Sequence, residues 1–229
     1  NSDTTAYKKE GSTSQSFDSV YGIKINDSSV NYIHQNIGRM SLGVKVGETY
    51  TDYGDGNLEE TEQLYDMALS GKGFFAISYA DRNGNESVRY TRDGNFTVNS
   101  QGVLVTKDGD FVLAEDGGLI NIPEGVKISV DESGRITADG QEIAQLQLVD
   151  FEDYNYLKKF GENMYIAIDG ATTKDAQCKV YQGYLEASNV NVVTEMVDMI
   201  TITRDYESNQ KVIQTIDSTL EKSVALGRV

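Results

Sequence analysis

A seven-residue repeat near the end of the chain constrains its fold more than any other feature of the sequence. The repeating positions are Val192, Met199, Tyr206, Ile213 and Leu220. Three further positions, each three residues after one of these, are Ile202, Asn209 and Ile216. Positions alternately three and four residues apart share one face of an α-helix, so these eight side chains form a mostly apolar seam of the coiled-coil type. We call them the seam.

The seam predicts a long helix that needs a partner. Residues 184–226 contain no Pro or Gly, and the pattern predicts about 35 helical residues, roughly 50 Å long at about 1.5 Å per residue. Asn191 is a favourable N-cap, and Glu195 in the first turns complements the helix dipole. An unpaired seam in water is marginally stable and prone to associate. No equally strong repeat occurs elsewhere in the sequence, so the predicted partner is a helix of another subunit or of a segment outside this sequence.

The middle of the chain is typical of antiparallel β-structure. From residue 70 to about 150, short runs of Val, Ile, Phe and Tyr alternate with Asn-Gly, Asp-Gly and Gln-Gly pairs. These pairs provide the positive φ angle that tight hairpin turns need, whereas parallel strands need longer connections. Residues 42–50 alternate apolar and polar side chains through Leu42, Val44 and Val46, which predicts a strand with one buried face.

The predicted fold class is therefore mainly β with a long C-terminal α-helix, an antiparallel β domain followed by a coiled-coil-forming helix. Residues 1–38 are polar and rich in Ser, Asn and Thr, and we expect an extended N-terminal segment there. Residues 39–182 are predicted to form one or more antiparallel β-rich domains. Residues 183–229 are predicted as the C-terminal coiled-coil segment.

The net charge argues against several classes of partner. It is −16 at pH 7, and such a surface repels nucleic-acid phosphates and anionic lipid headgroups. No stretch approaches the roughly 20 apolar residues of a membrane span. The first ten residues have no apolar core of the kind a signal peptide needs. We expect no nucleic-acid partner and no membrane insertion.

No catalytic, cofactor or metal site stands out in the sequence. The lone histidine, His34, has no carboxylate and nucleophile beside it, and the lone cysteine, Cys178, alternates like a packed strand residue and excludes an internal disulfide. Residues 70–75 lack the third glycine of a dinucleotide fingerprint, and residues 81–86 and 107–110 match only parts of a calcium loop. Gly71 and Gly73 are better explained by close approach of two backbones. The alternative that stays open is a secreted β-domain hydrolase with paired carboxylates and a helical oligomerisation tail.

Residues 181–217 closely resemble the C-terminal signature of bacterial flagellar rod and hook proteins. That signature reads Q-G-x-[LV]-E-x-S-N-V-N, then E-x-x-D/N-M-I, then R-x-[YF]-E-x-N, then K-x-I-x-T. The first part is matched by Gln182, Gly183, Leu185, Glu186, Ser188, Asn189, Val190 and Asn191. The rest is matched by Glu195, Asp198, Met199, Ile200, Arg204, Tyr206, Glu207, Asn209, Lys211, Ile213 and Thr215.

Three upstream segments resemble the same family. Residues 3–10 are similar to its N-T-x-G-[YF]-K-x segment, although Ala6 stands where glycine is usual. Residues 54–77 are similar to its G-x-L-x-x-T-x-x-x-D-x-A-I-x-G-x-G-F-F stretch, and residues 90–113 to its Y-T-R-[DN]-G-x-F segment and the residues that follow. The matching positions that we select are Tyr7, Lys8, Gly71, Gly73, Phe74, Phe75, Tyr90, Arg92, Gly94 and Phe96.

The resemblance implies a structural subunit of the flagellar basal-body rod, of proximal or distal type, and no cofactor. In that family a short N-terminal helix, here expected before residue 1, packs with the C-terminal helix in the inner layer of a tubular polymer that transmits motor torque. The implied partners are further copies of the chain, other rod and hook proteins, and the flagellar type III export apparatus. Tyr206 and Asn209 fall in the R-x-[YF]-E-x-N motif, and a polar residue in a seam can fix helix register.

Overall fold

The structure, a computed structural model, describes residues 1–24, 35–81, 84–123 and 125–226. Within these ranges the chain forms twenty β-strands, one 3-10 helix and one α-helix. Strands β1 to β10 are Glu10–Ser16, Val20–Lys24, Gln35–Met40, Val44–Thr51, Leu58–Glu60, Met67–Lys72, Phe74–Ala80, Glu86–Thr91, Phe96–Val98 and Leu104–Thr106. Strands β11 to β20 are Phe111–Val112, Ile128–Val130, Arg135–Ala138, Gln141–Gln145, Leu148–Phe151, Leu157–Phe160, Met164–Ala167, Thr173–Asp175, Gln177–Gln182 and Tyr184–Glu186. The 3-10 helix is Tyr154–Tyr156, and α1 is Val192–Leu226.

The strands that are described pair only in the antiparallel sense. Nine strands form the largest sheet, in the order β16-β17-β8-β7-β11-β10-β9, with β15 bonded to both β7 and β18. Strands β12, β13 and β14 form a second sheet, and β1–β4, β2–β3, β5–β20 and β6–β19 are two-stranded ribbons. The predicted fold class, mainly β with one long C-terminal helix, is confirmed. We call strands β5 to β20 the β body.

Strand β7 separates two hydrophobic cores, because successive side chains of a strand point to opposite faces. Phe75 lies in the larger core, where its ring meets the Phe96 ring edge to face at 5.1 Å. Phe74 lies in an aromatic core with Phe151 and Tyr165. One pair of adjacent phenylalanines therefore anchors both faces of the sheet.

The strand predicted at residues 42–50 is present, but its predicted buried face is wrong. Strand β4 pairs only with β1 among the described strands, and Val44 and Val46 are 66% and 68% exposed. A ribbon of two strands has no layer packed against either face, so alternation does not lead to burial there. Strand β1 also shows that part of the polar segment at residues 1–38 is in regular strand structure.

The predicted glycine turns are present with one instructive exception. Gly84 and Gly109 have φ angles of +79° and +93°, as hairpin turns require. Gly94, in an Asp-Gly pair, is not among the glycines with positive φ. A Cβ atom on Gly94 would lie 1.5 Å from the Met67 carbonyl oxygen, so glycine is needed there for the close approach of two chain segments.

Helix α1 leaves the β body directly after β20. The Asn191 Oδ1 atom accepts a hydrogen bond from Thr194 N at 3.1 Å, which is the predicted N-cap. From Val192 the helix continues for 35 residues, about 52 Å, and buries no side chain. No helix in the described ranges is both long and apolar enough to cross a membrane.

Candidate assembly site

The base of α1 is held by a buried ionic cluster, which is the main polar structure of the molecule. Glu186, at the end of β20, is completely buried. Its carboxylate accepts hydrogen bonds from Lys8 Nζ at 2.5 Å and Gly56 N at 2.8 Å, and Arg92 Nη1 lies at 3.4 Å. Buried carboxylates are stable only with such partners. We call this region, residues 6–9, 52–56 and 186–191 with Arg92, the neck.

The two cations of the neck have further partners, so the cluster is nearly satisfied. Lys8 Nζ donates to the Gly54 carbonyl oxygen at 2.8 Å. Arg92 Nη2 donates to the Gly71 carbonyl oxygen at 2.6 Å and lies 3.3 Å from Asp55 Oδ1. Burial lowers the pKa of Lys8, and the negative charge of Glu186 opposes that shift. The cluster therefore ties the N-terminal segment, the β body and the start of α1 to one carboxylate.

Asn189 makes a second set of connections across the neck. Its Oδ1 atom accepts from Lys9 N at 2.7 Å, and its Nδ2 atom donates to the Asp52 and Gly54 carbonyl oxygens at 2.9 and 3.2 Å. Its backbone N–H donates to the Tyr7 carbonyl oxygen at 3.3 Å. One amide side chain thus binds both neighbouring segments, and its geometry suits an asparagine specifically, since it uses both acceptor and donor.

The first turn of α1 is fixed by the N-terminal segment as well. Lys9 Nζ forms an ion pair with Glu195 on the helix. Lys159 from the β body lies 3.2 Å from Glu10 and 3.8 Å from the centre of the Tyr7 ring. The N-terminal segment is therefore held by the β body through Lys159 and holds the first turn of α1 through Lys9.

The predicted seam lies outside the neck and is free of contacts. Its eight side chains, Val192, Met199, Ile202, Tyr206, Asn209, Ile213, Ile216 and Leu220, are all exposed. Tyr206 is 71% exposed and Ile213 58%. Arg204 and Glu207 are likewise exposed on the helix. Within the described part of the chain no other element packs against these side chains.

Comparison with known proteins gives the family. Two protein-family models match the chain. The family model described as flagellar basal body rod FlgEFG protein C-terminal matches residues 181–226. The family model described as flagellar hook protein FlgE/F/G D1 domain matches residues 68–138. Flagellar basal-body rod protein FlgG of Buchnera aphidicola subsp. Schizaphis graminum is 36% identical over 198 residues, which cover 80% of this chain and 73% of the relative. FlgG of Agrobacterium fabrum is 33% identical, and the match covers 95% of this chain and 86% of the relative. Flagellar basal-body rod protein FlgF of Caulobacter vibrioides is 36% identical over 174 residues, covering 75% and 68%.

The chain belongs to the flagellar basal-body rod protein family. It is a structural, non-enzymatic component of the bacterial flagellar basal body. The family predicted from the signature motifs is confirmed, and the hydrolase alternative has no support from these relatives.

Several rod-family motif residues, far apart in sequence, meet in the neck. Among them, the neck contains Tyr7, Lys8, Arg92 and Asn189. A further one, Gly71, supplies a carbonyl oxygen to Arg92. A Cβ atom on Gly71, which has a φ of +105°, would lie 2.8 Å from the Gln177 carbonyl oxygen, as the predicted close approach requires.

The other motif residues of the rod family lie in the hydrophobic cores, at close approaches or turns of the backbone, or just before α1. Phe74, Phe75, Tyr90 and Phe96 pack in or against the two cores. Gly183 has a φ of +78° between β19 and β20, and a Cβ atom on Gly73 would lie 2.9 Å from the Ala176 Cβ atom. The Ser188 Oγ atom accepts from Val190 N just before the helix. Ser188 therefore belongs to the neck, whereas the other residues of this group build the β body.

Sequence analysis missed the central residue of the neck. Glu186 matched the signature but was not selected as a site residue, and Asp55 was not considered. The available signal was that Lys8, Arg92 and Glu186 are charged residues within the family motifs, but the motifs contain other charged residues as well. Charge alone does not reveal that Glu186 meets Lys8, which is 178 residues away in sequence, and Arg92, which is 94 residues away.

The residues considered for chemistry do not form a site in this rod-family chain. Within the described ranges no group of three His, Cys, Asp or Glu side chains could hold a metal ion. Burial raises the pKa of Asp93 and of Asp110, but the cavity beside them is only about 20 Å³, room for about one water molecule. Cys178 is half-buried against the larger core, and burial raises the pKa of its thiol. His34 lies outside the described residues.

Proposed function

We propose that this chain is a rod subunit that polymerises through α1 into the shaft that transmits motor torque. The observation that carries the proposal is the exposed seam on a 35-residue helix, which among the described residues makes contact only at its base. Fully burying a side chain such as Ile213 stabilises an assembly by about 1.5–3 kcal/mol. Repeated along the seam, this provides a strong drive for helix association.

Copies of this chain and other rod and hook proteins are the proposed neighbours. Family membership implies assembly with other flagellar proteins of the rod and hook, and association of like helices through a heptad seam accounts for self-assembly. In this arrangement α1 lies in an inner helical layer and the β body lies outside it.

The neck is the proposed mechanical link between these layers. A torque applied to the β body reaches α1 only through residues that join them, and Glu186 and Asn189 bind three chain segments there. A buried carboxylate with several partners, such as Glu186, rearranges less easily than an exposed ion pair. The link therefore keeps the angle of the helix when the shaft turns.

Export through the flagellar type III system is the proposed route to the basal body. A chain threaded in unfolded form arrives without its tertiary contacts and folds at its destination. With Cys178 as its single cysteine, no internal disulfide has to be formed after transit.

A pair of seam and control variants tests the proposal. Ile213→Glu places a charge in the seam, whereas Gln214→Glu places the same charge one residue away on the outer surface of α1. In cells that lack the wild-type gene, we expect Ile213→Glu to abolish rod assembly in isolated basal bodies and swimming in soft agar. Gln214→Glu should retain both.

The result that overturns polymerisation through the seam is normal rods and motility with Ile213→Glu. Immunoblotting of both variants establishes equal amounts of protein. Since position 213 is exposed in the single chain, circular dichroism of the purified variant should show an unchanged β body.

A further inference from the structure

The basic residues of α1 lie on one line along the helix. Arg204, Lys211 and Lys222 are its three basic residues, all exposed. At about 100° per residue, they fall within about 20° of one another around the helix axis, on the side opposite the seam. None of the six acidic residues of α1 falls on that line. We call these three residues the basic line.

The same surface is apolar where the helix leaves the neck. Val193, Val197 and Ile200 precede Arg204 on this side of the helix at spacings of three and four residues, and they are 70%, 55% and 53% exposed. Apolar side chains repeated at this spacing form a stripe, and such a stripe is typical of a helix surface that packs against another element. The outer surface of α1 is therefore suited to a contact of its own, in addition to the seam.

An acidic edge of α1 has the matching charge pattern. Asp198 and Asp205 lie beside the seam, about 120° around the axis from the basic line. They are seven residues apart, as are Arg204 and Lys211, so both pairs of charges have an axial spacing of about 10.5 Å. None of these four side chains takes part in an ion pair within the described residues, although the charge of Asp198 contributes to raising the pKa of Lys9 in the neck, after the larger effect of Glu195.

We propose that the basic line of one copy of this chain docks against the acidic edge of a second copy, lying parallel to it. An axial offset of six residues, about 9 Å, brings Asp198 of one helix beside Arg204 of the other and Asp205 beside Lys211 at once. The two surfaces lie on different sides of the same helix, so the contact is heterologous and each copy can bind one neighbour on each side. It gives a staggered lateral array along one edge of the seam.

This inference rests on the proposed function, because it assigns a lateral neighbour within an assembly of α1 helices. It adds a polarity and a stagger that the seam alone does not specify. Two opposite charges at the surface stabilise a contact only modestly, but reversal turns attraction into repulsion at both pairs. We expect reversal to weaken each contact by about 30-fold, from about 1 kcal/mol at each of two pairs.

The test is a charge exchange in the full chain. One variant carries Arg204→Glu with Lys211→Glu, a second carries Asp198→Lys with Asp205→Lys, and a third carries all four substitutions. We expect few or no rods in isolated basal bodies for each double variant and recovery in the fourfold variant, whose contacts are re-formed with opposite polarity. Wild-type rods should also dissociate more readily as salt is raised, because the pairs are at the surface.

Normal rods in either double variant, or no recovery in the fourfold variant, overturn the inference. Circular dichroism of each purified variant verifies that the helix and the β body are folded. Arg204 and Lys211 are exposed on α1, so their replacement should not disturb the β body. If Ile213→Glu abolishes rods while the double variants assemble normally, the lateral contact is wrong and the seam is retained. If Ile213→Glu assembles normally, the proposed function itself fails.

Discussion

Replacing Lys8 by methionine removes the ammonium group from the neck and keeps most of the length of its side chain. The Glu186 carboxylate then loses its partner at 2.5 Å but retains Gly56 N at 2.8 Å and Arg92 Nη1 at 3.4 Å. Removing one partner of a buried ion pair costs about 3–5 kcal/mol. Because two partners of Glu186 stay in place, we expect the lower end, about 3 kcal/mol in the free energy of unfolding.

The assay is thermal unfolding of the β body, followed by near-ultraviolet circular dichroism of its tyrosines. For a chain of this size, 1 kcal/mol corresponds to about 2–4 °C, so Lys8→Met should lower the melting temperature by about 6–12 °C. The matched control is Lys179→Met. Lys179 pairs with Glu132 at 2.7 Å, but both side chains are more than half exposed, so water and salt screen the pair and it contributes little to stability.

Equal melting temperatures for the Lys8 and Lys179 variants, both close to the wild type, refute the reasoning. They mean that the ionic cluster of the neck contributes no more than a surface ion pair. A loss confined to Lys8→Met supports it, and a double variant that also replaces Glu186 by leucine measures the coupling of the pair.

Three further predictions concern the β body. Gly94→Ala should destabilise the β body by about 3 kcal/mol or more in urea unfolding, because the added Cβ atom would lie 1.5 Å from a backbone oxygen. The control is Gly109→Ala, at a position with positive φ but open space, which should cost only about 1–2 kcal/mol. A larger loss of stability for Gly109→Ala than for Gly94→Ala contradicts this. Burial of Asp150 acts to raise its pKa, but hydrogen bonds from neighbouring groups outweigh burial, and the net effect lowers the pKa of Asp150. The carboxylate should therefore stabilise the fold fully above the unfolded pKa of about 3.9, and this stabilisation should disappear as pH falls through the lower folded value. The difference in stability between the wild type and Asp150→Asn should shrink below about pH 4, and a difference that does not change with pH counts against the assignment. Cys178, whose thiol pKa is raised by burial, should react with iodoacetamide more slowly at pH 8 in folded than in unfolded protein, and equal rates contradict the packing described.

Local patterns in the sequence were sufficient for much of the fold. Asn191 and the seam predicted where α1 begins, because capping and helical period are properties of neighbouring residues. The turn at Gly109 was predictable for the same reason. Gly94 was not, since the atom that excludes a side chain there belongs to Met67, which is close in space through an isolated bridge rather than a hairpin.

The parts that sequence patterns did not give depend on distant contacts or on missing layers. The alternation of Val44 and Val46 predicted burial, but the ribbon that contains them has no packing layer within the described chain. The neck joins Lys8 to a carboxylate 178 residues away. No periodicity records such a meeting, and only the family motifs indicated that Lys8 and Arg92 belong to a functional region.

The hydrogen bond between Lys9 N and Asn189 Oδ1 joins residues that are 180 positions apart, so the chain enters and leaves the β body at nearly the same point. The two chain segments that connect the body to the rest of the molecule therefore lie side by side. Domains whose ends lie close together are readily inserted into other chains or replaced. A foreign domain, or a shorter or longer body, can therefore be grafted between these two ends, provided that it keeps the contacts that Glu186 and Arg92 of the body make in the neck.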